Sequence, residues 1–341
     1  MKVAKYYSQK EIRIEEMPIP EIGENEVLVK MKACGLCGSD LMDWYLEDRS
    51  PLVLGHEPVG VIVKKGDEVR GFDVDDRVFV HHHVADLTCY YCKHGDYTLC
   101  EHFHKTNIVP GGFAEYFRVP APNLQLDTLK IPAHVAFDEA ILIEPIGCCI
   151  RALNKCDMRK GDSIAIIGAG ATGIIHVALS KMCGASRIIV SDLYDYRLDV
   201  AEEFGADLVV NPAKDDLLAL VKAETGGKGV DIAIVAAPNI EAYKAALSVC
   251  RQGGKLCVFA PVTPGKYLSI SPNQLFFTEI QIIPSYSASH LETRTALSLI
   301  EFQKFPMKKL ITHRFKLAET AEAFKIALES KDSLKVVIVN E

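Results

Sequence analysis

The rhythm of apolar and polar positions changes near residue 152. Before that point, apolar residues come in short runs rich in β-branched side chains. Val27-Leu28-Val29-Lys30-Met31-Lys32, Val59-Gly60-Val61-Ile62-Val63 and Asp76-Arg77-Val78-Phe79-Val80 each read as a strand. Pro18, Pro20, Gly23, Pro51, Gly55, Pro58, Gly66 and Gly71 punctuate this stretch. Short strands between frequent turn signals predict an antiparallel, barrel-like β domain. Beyond residue 152, buried strands alternate with helical patterns. The strands are Asp162 to Ile167, Arg187 to Val190, Ala206 to Val210, Val230 to Val235 and Lys255 to Phe259. The helical stretches between them run through Cys183, from Asp195 to Phe204, from Lys214 to Thr225 and from Ile240 to Cys250. That alternation predicts a doubly wound parallel sheet, and hence an α/β fold class. A helix from Glu292 to Gln303 and a strand from Lys335 to Val339 follow. Periodicity leaves open whether they finish the sheet or return to the first domain.

At 341 residues the chain exceeds one ordinary core, so two domains are expected. The net charge of -7 argues against a nucleic-acid or anionic-membrane partner. No run of eighteen apolar residues is present, which excludes a spanning helix. The opening Met1-Lys2-Val3-Ala4-Lys5 lacks the apolar run of a signal peptide, so the expected location is cytoplasmic. Eleven cysteines are an odd number, which rules out a complete disulfide framework within one chain. Their clustering suggests metal first.

Cys37 and, nineteen residues later, His56-Glu57 supply a thiolate, an imidazole and a carboxylate. Catalytic zinc accepts all three, typically with three protein ligands and one open position. The bland alternative is a polar pair between strands. A second group, Asp86, Cys89, Cys92 and Cys100, has the spacing of a closed structural site, with His94 or a water as the alternative fourth ligand. Gly168-Ala169-Gly170-Ala171-Thr172-Gly173 follows an apolar strand and opens a helix. In that context Gly168 permits the turn, Gly170 lets a pyrophosphate approach, and Gly173 lets helix and strand pack closely. Asp192 ends the next strand, where a carboxylate accepts from ribose hydroxyls and repels a 2′-phosphate. NAD is therefore expected over NADP, with Arg197 packed near the adenine. Cys34, Cys148, Cys149, Cys156, Cys183, Cys250 and Cys257 read as small packed residues. His81-His82-His83 reads as a surface or interdomain run, and Trp44 as a pocket wall or a packing residue.

These stretches together resemble the zinc-dependent medium-chain dehydrogenases, in the branch of sorbitol (polyol) and threonine dehydrogenases. The likeness is carried by Ala33-Cys34-Gly35-Leu36-Cys37-Gly38-Ser39-Asp40, Gly55-His56-Glu57, the Cys89 to Cys100 lobe, Glu144-Pro145, the Gly168 to Gly173 turn and Thr312-His313-Arg314-Phe315. It implies a GroES-like catalytic domain of residues 1–151 and 286–341 around a Rossmann NAD-binding domain of residues 152–285. It further implies Cys37, His56, Glu57 and Glu144 as catalytic zinc ligands and Ser39 as the start of a proton relay. Thr172, Asp192 and Arg197 are implied to bind NAD, with Phe259, Ala260, Pro261, Ser285 and Tyr286 near the nicotinamide. A homotetramer or homodimer is implied as well. The chain departs from the pattern twice. Asp86 replaces a fourth cysteine, and Met42 stands where many members have a histidine that passes the proton on. Asp43 is the expected substitute.

The expected reaction moves a hydride between a secondary alcohol, a polyol or sugar derivative, and NAD, giving a ketone. An amino alcohol such as threonine is the alternative substrate, with Asp43 facing its ammonium. A zinc-free quinone reductase or a non-catalytic NAD-binding protein would have lost ligands that are all present here. One thiolate, two carboxylates and a neutral imidazole leave a zinc complex with net charge of about -1. That excess damps Lewis acidity, so one carboxylate, Glu144, is expected to loosen during turnover.

Overall fold

A computed structural model describes residues 1–303 and 306–340. The chain divides into two compact units, Met1–Gly147 with Ala288–Glu341, and Cys148–Ser287.

The first unit is built around the strand Val27–Leu36, buried at nearly every position. It pairs antiparallel with Glu57–Lys65, Tyr116–Val119 and Lys335–Val339. Arg77–Val80 and Thr128–Lys130 extend this sheet on one side, and Ile311–Lys316 on the other. A second sheet joins Glu11–Glu16, Lys2–Ser8 and Leu52–Val53. Tyr6, Met31, Ile62, Phe113, Phe117 and Phe324 fill the core between these elements. The apolar pattern alone stops the central strand at Lys32. The strand continues through Cys34-Gly35-Leu36 because both flanks are taken: Gly35 faces Glu57 on one side and Val337 on the other. Pairing overrides the weak local β-preference of those residues. The last strand thus joins the N-terminal sheet and leaves the parallel sheet to the second unit.

The second unit holds six parallel strands in the order Leu208–Val210, Arg187–Ser191, Ser163–Ile167, Val230–Val235, Cys250–Val258, Gln281–Pro284. The chain reverses direction across the sheet between Ser163–Ile167 and Val230–Val235, which creates a crevice at their carboxyl ends. One helix starts later than its periodicity suggests, at Leu217, because the Asp216 carboxylate caps it by accepting from the Ala219 N–H.

Two sequence expectations change. Cys183 is exposed at the end of the helix Ala171–Met182, whereas Cys34, Cys149, Cys156 and Cys257 are buried. His81 is fully buried and His82 and His83 are half-buried, so of the surface and interdomain readings of the triple histidine the surface one is removed. Among the described residues, no helix is long and apolar enough to cross a membrane.

Candidate active site

The ligand atoms of Cys37, His56 and Glu57 lie within 4.8 Å of one another. Strand pairing brings them together. Cys37 leaves the end of Val27–Leu36 and starts the tight turn Gly38–Leu41, while Glu57 opens the neighbouring strand. Gly35 permits the approach, since a Cβ there would stand 1.8 Å from Glu57 Oε2. Ser39 is half-buried in the same turn, two residues beyond Cys37.

Two residues not singled out from the sequence complete the cluster. Asp40, buried, accepts from the Cys37 N–H at 3.0 Å, and its other oxygen lies 3.3 Å from His56 Nδ1. That carboxylate favours the tautomer with the proton on Nδ1, which leaves Nε2 as a metal ligand. The signal was the three-residue spacing from Cys37, legible only with the turn in view. Lys335, on the last strand, places Nζ 2.6 Å and 2.5 Å from the two oxygens of Glu57, and both side chains are buried. No local signal could reveal that pair, because 278 residues separate its members. Burial, reinforced by Glu144, holds the Glu57 carboxyl above its ordinary pKa even against Lys335. Burial pulls the His56 pKa down, but Asp40 and Cys37 together push it well above the usual imidazole value. Such an anionic pocket suits a divalent cation. Glu144 is buried and close enough to act on Glu57, yet it lies outside the three-donor group. Asp40 adds an anion to the charge count and Lys335 adds a cation, so the two offset each other.

The second group also converges: Asp86, Cys89, Cys92 and Cys100 present ligand atoms within 4.8 Å of one another. Cys89 and Cys92 Sγ are 3.6 Å apart, and the Asp86 N–H donates to Cys100 Sγ at 3.5 Å. Asp86 Oδ1 accepts from Thr88 N (2.6 Å) and Cys89 N (2.8 Å), which holds the carboxyl ionised below its usual range. Its second oxygen remains for a metal. Burial, with Cys89 and Cys100 alongside, pushes the Cys92 thiol up to about 12, a crowding of sulfur that a cation relieves. His94 instead engages the Tyr90 carbonyl at 2.8 Å and stays outside the group.

In the second unit, Gly168 takes φ +108°, and a Cβ at Gly173 would meet the Gly168 carbonyl oxygen at 2.0 Å. A Cβ at Gly170 would meet nothing within 4 Å, so open space lies over the helix N-terminus where a pyrophosphate binds. Asp192 ends Arg187–Ser191 with its two oxygens fixed by Ala169 N (2.7 Å) and Tyr194 N (3.0 Å). The Arg197 guanidinium lies 5.0 Å from the Tyr194 ring centre. Thr172 stands in the first turn of the helix Ala171–Met182. Phe259, Ala260 and Pro261 follow Cys250–Val258, and Ser285 and Tyr286 follow Gln281–Pro284. The Ser285 N–H donates to Val258 O at 3.0 Å and ties these two ends together. All these residues cluster at the carboxyl ends or helix starts of one parallel sheet, the edge where such folds bind dinucleotides.

Comparison with known proteins agrees with this geometry. The alcohol dehydrogenase GroES-like domain family matches residues 23–132, and the zinc-binding dehydrogenase family matches residues 171–301. A sorbitol dehydrogenase of Bacillus subtilis (strain 168) is 34% identical, covering 99% of this chain and 97% of its own. An L-threonine 3-dehydrogenase of Chromobacterium violaceum is 30% identical, with 98% of each chain covered. An alcohol dehydrogenase of Escherichia coli CFT073, solved with NADH, superposes with a TM-score of 0.86 at 28% identity, covering 100% of this chain and 99% of its own. The chain belongs to the zinc-dependent medium-chain dehydrogenases, in the sorbitol and threonine dehydrogenase branch. It is an oxidoreductase of the zinc- and NAD-dependent alcohol dehydrogenase class.

Proposed function

We propose that this protein oxidises a secondary hydroxyl of a polyol or sugar derivative to a ketone with NAD, and catalyses the reverse reduction. The observation that carries this reading is the convergence of Cys37, His56 and Glu57 beside Ser39. Cys37, His56 and Glu57 would hold a zinc ion, with Glu144 as an exchangeable fourth ligand. Bound there, zinc supplies Lewis acidity that eases removal of a proton from the substrate hydroxyl. Asp40 keeps His56 oriented, and Lys335 offsets the negative charge around Glu57. Ser39 takes the hydroxyl proton and hands it on, because a serine is not itself a base near neutral pH. Asp43 is the proposed next carrier: its Oδ1 is held by the Tyr6 hydroxyl and by the Gln9 N–H, while its exposed carboxylate keeps Oδ2 to accept the proton and pass it to solvent. Gly168, Gly170, Thr172 and Gly173 receive the pyrophosphate, Asp192 the ribose and Arg197 the adenine side of NAD. Phe259, Ala260, Pro261, Ser285 and Tyr286 flank the nicotinamide. Asp86, Cys89, Cys92 and Cys100 hold a structural zinc.

An amino alcohol such as threonine is the second reading, supported by the identity to a threonine dehydrogenase. We further infer a homodimer or homotetramer. Among the described residues the strand Gln281–Pro284 ends its sheet with one edge unpaired, and Phe276 and Phe277 nearby are 76% and 75% exposed. The eleven free cysteines support a reducing, cytoplasmic location.

The test is zinc content together with NAD reduction by sorbitol, an inositol, a sugar phosphate and threonine. Turnover of a polyol supports the first reading, and turnover of threonine alone supports the second. A fully zinc-loaded protein inert towards every alcohol sinks both.

A further inference from the structure

We propose that Tyr243 is a positioning residue for the nicotinamide half of NAD: its buried hydroxyl holds the segment Phe259-Ala260-Pro261 by a backbone carbonyl, so that the segment is shaped before the cofactor arrives. The inference rests on the proposed NAD site in the second unit.

The dinucleotide has a direction across the sheet. Gly168 to Gly173 follow the strand Ser163–Ile167, and Asp192, the ribose acceptor, follows its neighbour Arg187–Ser191. The adenosine half therefore lies on that side of the crevice. The nicotinamide half lies on the other, over Val230–Val235 and Cys250–Val258, the strand from which Phe259 emerges. Ala260 is the last buried residue on this path, and none of residues 261–284 is buried. A segment at the head of so exposed a stretch keeps one shape only where its backbone is anchored.

Both backbone polar groups of Ala260 are anchored. The Tyr243 hydroxyl, on the helix Ile240–Val249, donates to Ala260 O at 2.5 Å, and the Ala260 N–H donates to Val235 O at 2.9 Å. Tyr243 is itself buried, so water does not compete for the bond. Burial, with Cys257 nearby, pushes its phenol up to about 12, and the hydroxyl keeps its proton near neutral pH. The Phe259 ring meets the buried His176 ring edge-on, with centres 4.8 Å apart. The far end of the exposed stretch is tied back by the Ser285 N–H, which donates to Val258 O at 3.0 Å. Of these ties, only that of Tyr243 is a hydrogen bond from a side chain, so deleting one oxygen removes it. A segment already in its binding shape binds without a further ordering cost. A loose one binds with an apparent affinity lowered by the fraction of time it spends in that shape.

The experiment measures the dissociation constants of NADH and of ADP-ribose, which lacks the nicotinamide, for wild type and Tyr243→Phe. The variant leaves the Ala260 carbonyl without its donor, so the segment turns that carbonyl towards water. NADH should bind about tenfold more weakly, as for a segment in its binding shape about one tenth as often as in wild type. ADP-ribose binding should stay within about twofold of wild type, because its contacts end before the nicotinamide. Hydrogen exchange should find the Ala260 amide already protected in cofactor-free wild type, and less protected in the variant. Equal losses on both ligands would overturn the inference by making Tyr243 a support for the whole unit. A variant that binds NADH as wild type does overturns it as well. A wild-type Ala260 amide that is protected only after NADH is added overturns it whether or not the variant folds. Wild type that binds neither ligand removes the NAD reading, and this inference with it.

Discussion

At the scale of single residues, the Glu57–Lys335 pair is the most consequential. Both side chains are buried, so removing one partner strands a charge. Lys335→Met should cost about 3–5 kcal/mol in denaturant unfolding, and adding Glu57→Gln should restore most of it. His176 tests burial in another way. It is fully buried against Phe259, and neither ring nitrogen has a hydrogen-bond partner among the described residues. Burial pushes its pKa down to about 3, whereas the unfolded chain protonates near the ordinary value of about 6.5. Between those values the unfolded state holds the extra proton, so stability rises with pH across the window and is lost as pH falls. His176→Leu should lie within about 1 kcal/mol of wild type at neutral pH. On acidification to pH about 5 the variant should lose less stability than wild type, by up to about 1.4 kcal/mol per unit, read from thermal unfolding across that range.

Among elements, the lobe between Arg77–Val80 and Tyr116–Val119 shows how a short segment is organised by its own side chains. Asp86 caps the turn with one oxygen and leaves the other towards three thiols. Asp86→Ala should therefore lower the zinc content from two ions per chain towards one, measured by atomic emission, with the Cys37 site still loaded. The lobe was readable from spacing because its ligands sit on neighbouring turns. The central strand was only half readable. Val27 to Lys32 declares itself by apolar content, but Cys34-Gly35-Leu36 becomes strand only when Glu57 and Val337 flank it. Likewise Asp40 reads as an ordinary polar residue until the Gly38–Leu41 turn carries its carboxylate to His56 Nδ1.

For the whole molecule, the edge Gln281–Pro284 and the adjacent exposed phenylalanines are the seam we propose for self-association. Phe276→Glu combined with Phe277→Glu should shift the protein to a smaller species in size-exclusion chromatography while NAD binding persists. An unchanged elution volume would place the interface elsewhere. The free edge arises because Gln281–Pro284 is the last strand of its sheet and the chain then returns to the first unit. There Lys335–Val339 pairs with Val27–Leu36 and sets Lys335 against Glu57.

The sequence by itself determined whatever depends on neighbours within a few turns. The Gly168 to Gly173 turn, the Asp86 to Cys100 lobe and the alternation of strands and helices all follow from local spacing and backbone chemistry, whereas Cys37 and His56-Glu57 meet only through strand pairing. Tertiary structure decided what depends on residues far apart in the chain. It buried His81 and set His82 beside His56, left Glu144 outside the three-donor group, tied Asp43 to Tyr6, and set Lys335 against Glu57. The physical reason is that burial and charge are properties of a packed neighbourhood. A carboxylate reads the same in any sequence, but its pKa and partner exist only once the strands around it have paired.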